Sequence, residues 1–503
     1  AKAQRSSSTK KPLRFCGAFA SLWCQAIFLM LFSLWPACAL SQPYENFPAV
    51  VQVQSNFSDG RHSVDDLCRM ARENSVKILI LSDSLLRRWE YGLWPWRNII
   101  KRTYEESSVL KLGVKKYLAA IEEAQKNNPD ILIVPAVEAG PFYYWKGFPL
   151  SKKGLRLNDW HKKVLIAGLE DAEDFYALPV SANYRRLPRS LRDWLRLWPA
   201  LLVLSGVLLL KTLRGRRRQA AFLLIVVGAI SLWNNSYFPA SPYDIYQGEA
   251  GIKPYQHLID FVNKKGRSVF WLHPEASYIR RVRGVDIVTH SYKGDLARSK
   301  DYQGFSAFYY DNSTATRPGD IWDTLLLEYC AGRRKNPVWI IGELGFDGAM
   351  QKNFTGIQTI FLLPRLGRQE IYRALKSGRM YAKQSFSPND LALTAFMVTD
   401  TKIEKVAFMG EEIFVSGSPK IAARLTNSRP AEEKIILRLI REGRVLAETE
   451  LQGSAMDWEY VDNDIAPEKK TFYRLELESE FCRMLSNPIF VTIRSKSEGE
   501  GGL

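Results

Sequence analysis

Two uncharged runs separated by a knot of positive charge occupy the middle of the chain, and they restrict it more than anything else in the sequence. Residues 197–210 read Leu-Trp-Pro-Ala-Leu-Leu-Val-Leu-Ser-Gly-Val-Leu-Leu-Leu, and a second uncharged run extends from Gln219 to Tyr243, apolar through Trp233. Between them stand Lys211, Arg214, Arg216, Arg217 and Arg218 with no acid. The pattern predicts a transmembrane hairpin over 195–238, with spans near 195–212 and 219–237. The first run is shorter than the roughly 20 residues a span requires. Arg196 and Lys211 can extend it by carrying their charged heads to the interfaces. Trp194, Trp198, Trp233 and Tyr237 lie at the outer ends, where aromatic belts form. The positive-inside rule places the basic loop 211–218 in the cytoplasm and both flanking regions on the other side. The alternative is a helical hairpin buried in a soluble core. Five cations in an eight-residue turn argue against it.

The N-terminus points the same way. A basic stretch ends at Arg14, an apolar run follows from Phe15 to Trp35, and Ala37-Cys38-Ala39 fits a small-x-small cleavage pattern. Residues 1–39 are therefore expected to be a signal peptide or an uncleaved N-terminal anchor. Lipidation at Cys38 is a weaker alternative, because Trp35 and Pro36 are poor residues just upstream. Each version puts the chain from residue 44 onward outside the cytoplasm. The expected location is the inner (cytoplasmic) membrane of a bacterial envelope, with both soluble parts extracytoplasmic. Net charge supports this. Of the formal +17, residues 1–39 hold +5 and 211–218 another +5, leaving +7 over the remaining length. The excess is topological, which argues against nucleic acid and for the lipid bilayer as partner. Cys68, Cys330 and Cys482 are far apart and imply neither a disulfide framework nor a metal site.

Outside the hairpin, short apolar strands alternate with helical spacing. Strands are predicted at 50–53, 76–81, 131–137, 164–167, 269–272, 285–288 and 338–341, and helices at 64–74, 117–125, 255–262, 321–329 and from 371 to Gly378. This alternation predicts a parallel α/β barrel with the hairpin inserted between its halves, 44–194 and 239–388. From 389 to 494 the rhythm is all-β, with strands at 434–440, 445–451, 472–477 and 489–493, and a β-sandwich is expected. Residues 495–503 read as a disordered tail. The segment 89–96, with three tryptophans, suits a membrane interface or an aromatic lid over the barrel mouth.

Several segments resemble the PHP (polymerase and histidinol phosphatase) family. Gln52 and Gln54 stand where the family's first strand carries His-x-His, and Ser58-Asp59-Gly60 keeps the turn that follows. Leu81-Ser82-Asp83-Ser84 is similar to Thr-Asp-His, with Ser84 at the histidine position. Glu138 matches a bridging carboxylate, His161 the next histidine, and Leu272-His273-Pro274-Glu275 a His-Pro motif. Gly342-Glu343-Leu344-Gly345-Phe346-Asp347 resembles the terminal Gly-Gly-Ser-Asp-x-His, with Gly345 and Asp347 replacing the aspartate and the histidine. The segments 374–381, Tyr473-Arg474-Leu475 and Ser486-Asn487-Pro488-Ile489-Phe490 look like the barrel end and β-domain of exported or membrane-linked members. The resemblance spans 44–494 apart from the hairpin and implies a distorted (β/α)7 barrel with a degenerate metal site.

Of the family's three metals, the resemblance leaves ligands for one. Glu138, His161 and His273 would hold a single divalent transition metal, Zn, Mn or Fe. Asp59 and Asp347 would be further ligands and His290 a substitute. Asp59 or Asp83 would be the base of a mononuclear phosphoesterase. His62 and His257 read as solvated, and Gln52 and Gln54 as hydrogen-bonding across the mouth. Two functions follow. One is a membrane-anchored extracytoplasmic pseudoenzyme for binding or assembly, with other envelope proteins as partners. The other is a metal-dependent hydrolase of a phosphorylated small molecule.

Overall fold

The structure, a computed structural model, describes residues 43–149, 154–185, 187–188, 190–212, 214–308, 313–348, 353–387, 391–428 and 434–494. The expected export signal and the C-terminal tail lie outside the described residues. Seven strands form a ring: β1 (Glu45–Val53), β2 (Ile78–Ser84), β3 (Leu132–Ala139), β4 (Val164–Ala167), β5 (Ser268–Trp271), β6 (Gly304–Phe308) and β7 (Trp339–Gly342). β1, β2 and β3 are parallel, β4 is antiparallel to both its neighbours, and β5, β6 and β7 are parallel again. The ring closes where the backbone after β7 returns to β1. There Leu344 N donates to Val51 O at 3.0 Å, Phe346 N to Gln52 O at 2.9 Å, and Gln54 N to Phe346 O at 2.9 Å. Because β4 is reversed, its N-terminal end shares one mouth with the C-terminal ends of the other six.

The sequence explains the layering. β2 is Ile-Leu-Ile-Leu-Ser-Asp-Ser with every residue buried, as expected of a strand covered on both faces. Its polar end, Ser82 to Ser84, lies at the mouth. Helices pack outside. Val64–Glu73 begins with a capping box between Ser63 and Asp66 and buries Val64, Leu67, Cys68 and Ala71, one helical face. Lys253–Lys264 buries Tyr255, Leu258, Ile259 and Val262 in the same way. Arg368–Ser377 stops at Gly378, whose φ is +75° and where a Cβ would lie 2.4 Å from the Trp339 ring.

One expected barrel strand lies elsewhere. Val285–Thr289 pairs with Tyr278–Val282 and with Leu155–Asn158, which pairs in turn with Tyr144–Gly147. These four strands form a separate sheet at the mouth, reached from the ends of β3 and β5. The place in the ring belongs to Gly304–Phe308, which its glycine and serine hide from a search for apolar runs. Gly304 is required, since a Cβ would stand 2.3 Å from the Trp339 carbonyl oxygen. A hairpin of Arg88–Gly92 and Lys101–Glu105 leaves the end of β2 and joins this cap. Trp89, Tyr143, Trp145, Leu157, Val285 and Ile287 fill a small core of its own.

Beyond the ring, Ile357–Leu363 pairs with β1 and Met380–Ser385 follows it, carrying the sheet into the C-terminal region. The alternation of a strand assigns each face: Phe361 and Leu363 join the barrel core, Ile360 and Leu362 the sandwich core. The opposing sheet contains Ala392–Asp400, Pro419–Thr426 and Ala455–Val461. Two motif residues fasten the sandwich to the barrel. Fully buried Arg474 makes two 2.7 Å bonds to Asp323. Asn487 accepts from Ile340 N at 2.9 Å and donates to Ile340 O and Met380 O.

Between barrel halves stands a pair of helices, Pro199–Thr212 and Arg216–Asn235. Glycines let them approach: a Cβ at Gly206 would meet Ile225 Cγ1 at 2.6 Å, and one at Gly228 would meet Leu202 and Val203 at 3.0 Å. Their remaining surface is apolar and exposed, including Leu201, Leu204, Leu208, Phe222 and Leu223. Among the described residues one helix, Leu191–Thr212, is long and apolar enough to cross a membrane by length and composition. Arg216–Asn235 is not, because Arg216 to Arg218 and Asn234 and Asn235 shorten its apolar part. The tryptophan-rich segment divides: Trp89 is buried in the cap, whereas Trp94 is 80% exposed beside the helix pair. Trp96 Nε1 donates to Ser231 Oγ at 3.4 Å, and Asn98 makes two bonds to Asn234 at 2.9 and 2.8 Å.

Candidate functional site

All but one of the predicted site residues, the exception being Asp347, can be followed from the strand ends. β1 bulges between Val51 and Val53, and Gln52 there has φ of +62°. The bulge turns the Gln52 amide onto Glu138 at the end of β3, where Nε2 donates to Oε2 at 2.7 Å. Oε1 of Glu138 receives Lys163 Nζ at 3.2 Å and Ser84 Oγ at 3.3 Å. Burial acts to raise the Glu138 pKa, but Lys163 and His273 outweigh it and hold the carboxyl below its ordinary range. Glu138 is therefore a carboxylate whose two oxygens are both engaged by the chain.

His273 follows β5 with φ of +33°, again a left-handed backbone at a strand end. Its backbone N donates to Ser306 Oγ at 2.7 Å and to Glu343 Oε2 at 2.9 Å. The ring places Nδ1 2.8 Å from Glu343 Oε1 and Nε2 3.3 Å from the His161 carbonyl oxygen. Both neighbours are acceptors, an arrangement that favours the protonated ring. Burial opposes that charge, but Glu343 and Glu138 overcome it and raise the His273 pKa. The His161 ring lies against that of Tyr278 of the cap, with centroids 3.6 Å apart and planes tilted by 38°. Burial and the nearby Lys163 push its pKa down to about 3, so it is neutral.

The two candidate bases are likewise occupied. Asp83 is fully buried and accepts from Ser55 N at 2.9 Å, Ser55 Oγ at 2.8 Å and Ser58 Oγ at 2.6 Å. Burial lifts its pKa to about 6 against those bonds. Asp59 forms an ion pair with Arg87, which also pairs with Glu106. Burial raises the Asp59 pKa and Arg87 opposes the rise. The backbone carbonyl of Asp347 accepts from Arg61 N at 3.0 Å as part of the turn after β7. His290 and His257 are exposed, and the His62 ring stacks on Phe346 at 6.1 Å.

Glu138, His161 and His273 thus share one mouth, but not as a ligand set. Among the described residues no group of three or more His, Cys, Asp or Glu side chains converges to hold a metal. Each acid has a cation from the chain instead: Lys163 for Glu138, His273 for Glu343, Arg87 for Asp59. A divalent ion would meet a Glu138 already engaged by Lys163, Gln52 and Ser84 and a His273 ring turned to Glu343, so this arrangement does not fit a resident metal. The cap closes over it, leaving Gln52, Gln54, Glu138 and Lys163 each under a tenth exposed. Lys163 and Glu343 are the residues that sequence reasoning passed over. The signal for Lys163 was its place directly before β4. Its role depends on β4 being reversed, which no local pattern states.

Comparison with known proteins gives no match to any family model and none to the curated proteins. Among solved structures, a two-domain protein from Bacteroides vulgatus containing a predicted PHP-like metal-dependent phosphoesterase is 9% identical over 88% of this chain and 96% of its own, with a TM-score of 0.33. A candidate metal-dependent phosphoesterase from Bifidobacterium adolescentis is 13% identical over 61% of this chain and 90% of its own, TM-score 0.29. An amidohydrolase from Chromobacterium violaceum, with bound sulfate and no metal, is 12% identical over 66% and 96%, TM-score 0.28. The chain is similar, at low identity, to PHP-like metal-dependent phosphoesterases.

Proposed function

We propose that this chain is a PHP-like barrel that has exchanged metal chemistry for internal ion pairs, held in a bacterial envelope membrane as a binding or assembly protein. The observation that carries the reading is the pairing of Glu138 with Lys163 and Gln52 where the resemblance would put a bridging carboxylate on a metal. Freeing Glu138 for a cation would strand a buried ammonium, at a cost of roughly 3–5 kcal/mol. The mouth is then a structural element, and contact surfaces lie on the cap, the sandwich and the hairpin. For the membrane, the first helical stretch, Leu191–Thr212, has 22 residues, and its uncharged run 197–210 reaches about 21 Å, approaching the roughly 30 Å hydrocarbon core with Arg196 and Lys211 at the interfaces. The second would insert beside it through the Gly206 and Gly228 contacts, with the basic loop in the cytoplasm and both soluble parts outside.

The second reading, a mononuclear phosphoesterase, draws on Asp83, whose pKa of about 6 suits a base near neutral pH. Activity assays of the full chain separate the two. Phosphomonoester and phosphodiester substrates are offered with Mn2+, Zn2+ or Fe2+. The pseudoenzyme reading expects background turnover, unchanged in Asp83→Asn. Metal-dependent turnover that Asp83→Asn abolishes would give the hydrolase reading the lead.

A further inference from the structure

A cavity of about 540 Å3 lies between the base of the helix pair and the cap, and Glu138, His161, Lys163 and His273 do not line it. The segment 94–98, the start of the first helical stretch, Asn234 at the end of the second, and residues 239–247 line it. Three arginines line it: Arg97, Arg196, and Arg192, whose Nη1 donates to Pro242 O at 2.9 Å. Arg97 spreads over the Tyr246 ring at 4.0 Å, and its approach to Asp244 is long, 3.8 Å. The Nε atoms of Arg97 and Arg196 are buried without a hydrogen-bond partner. A buried donor left unpaired costs about 1–3 kcal/mol, so the chain satisfies these two guanidinium groups only in part. The acids of the lining have other partners. Glu90 is matched by Arg88, by Lys101 at 3.0 Å and by Tyr184 Oη at 2.7 Å. Asp193 caps its helix with Ser190, and Asp244 accepts from Tyr246 N at 3.0 Å.

The depth of the cavity identifies the acceptor. Trp94, Trp194, Trp198 and Trp233 are all more than half exposed and gather at this end of the helix pair. Such a ring of indoles sits at headgroup level in a bilayer. We infer that the cavity binds the phosphate of an anionic phospholipid headgroup from the leaflet facing the soluble parts, with Arg97 and Arg196 as the principal donors and Arg192 at the rim. Guanidinium forks match phosphate oxygens in pairs. The inference rests on the membrane reading above and adds a specific lipid contact to it.

The test uses the full chain extracted in mild detergent, with phosphatidylglycerol and phosphatidylcholine in mixed micelles and retained lipid counted by native mass spectrometry. Phosphatidylglycerol should be retained in preference. Arg97→Gln should weaken that retention about tenfold, the loss of one charge-assisted bond. Arg97→Lys should recover part of it. Arg424→Gln, which removes the same charge from the remote sandwich surface, should change nothing. Equal retention of both lipids, an equal loss in Arg424→Gln, or no recovery in Arg97→Lys would overturn the inference. So would free glycerol 3-phosphate displacing the lipid at comparable concentration, since the ligand would then be a soluble phosphate. A chain that leaves the membrane without detergent would remove the membrane reading itself. A chain that needs detergent but shows no lipid preference would remove this inference alone.

Discussion

At the barrel mouth Glu138 meets Lys163 at 3.2 Å and His273 meets Glu343 at 2.8 Å, beneath an aromatic cap. At the helix-pair base Arg97 and Arg196 line a cavity of about 540 Å3 and keep buried Nε atoms without partners. Both regions gather charge in a concave setting. Among the described residues the mouth pairs its acids with basic side chains and leaves only neutral atoms, Gln52 Oε1 and Ser82 Oγ, without partners, whereas the helix-pair base leaves atoms of two guanidinium groups unpartnered. Low dielectric magnifies the consequence of each state: a paired charge rigidifies the fold, and an unpaired buried donor is costly. The comparison separates a place that resembles an active site in sequence from a place prepared to receive a molecule.

The largest expected effect follows from the proposed membrane anchorage. Asn235 Nδ2 donates to Arg196 O at 2.9 Å, so the two ends of the helix pair are adjacent. Replacing residues 199–235 by a short Gly-Ser linker should move the protein from the membrane fraction to the soluble one while the barrel still unfolds cooperatively. Retention in membranes after a high-salt wash would mean that another segment anchors the chain.

Next come the buried ion pairs. Glu138→Gln should lower stability by about 3–5 kcal/mol in chemical denaturation, since Lys163 is left alone in the interior. The double variant Glu138→Gln, Lys163→Met should regain most of that loss. A vacant metal site behaves in the opposite way, because removing one of several clustered acids relieves repulsion. Asp323→Ala should cost a similar amount by stranding Arg474, and should loosen the sandwich from the barrel.

The pH dependence sharpens the same contrast. His161 has its pKa pushed down to about 3 in the folded chain, from an ordinary 6.5. The unfolded chain therefore takes up a proton first, and stability should fall as pH drops from about 6.5 toward 3. Asp83, raised from 3.8 to about 6, works in the other direction, contributing fully below 3.8 and losing its contribution as pH rises through 6. His161→Phe should flatten the acid limb, and Asp83→Asn should remove the opposing slope. The smallest effect belongs to Asp59→Asn. Its pair with Arg87 is a quarter to a third exposed, and the change should cost about 0–1 kcal/mol.

Much of the barrel was legible because burial writes itself into composition. The run Ile78 to Leu81, the face of Val64, Leu67, Cys68 and Ala71, and the stop at Gly378 each announce an element locally. The apolar faces of the helix pair were equally plain. What stayed hidden depends on partners distant in sequence. Lys163 reaches Glu138 only because β4 runs backwards, and Glu343 meets His273 from 70 residues away. Val285–Thr289 has the composition of a barrel strand, yet Tyr278 and Leu155 draw it into the cap. The motif positions indicated where the mouth would be. They did not show that its acids would be neutralised from within.

Elemental analysis of the full chain, purified without chelator from metal-replete cells, tests that last point most directly. The internal pairing predicts no stoichiometric transition metal in wild type, and no difference between wild type and His273→Ala. About one bound metal per chain, lost in both His273→Ala and Glu138→Gln, would mean that Lys163 gives way to a cation and that the mouth is a working metal centre.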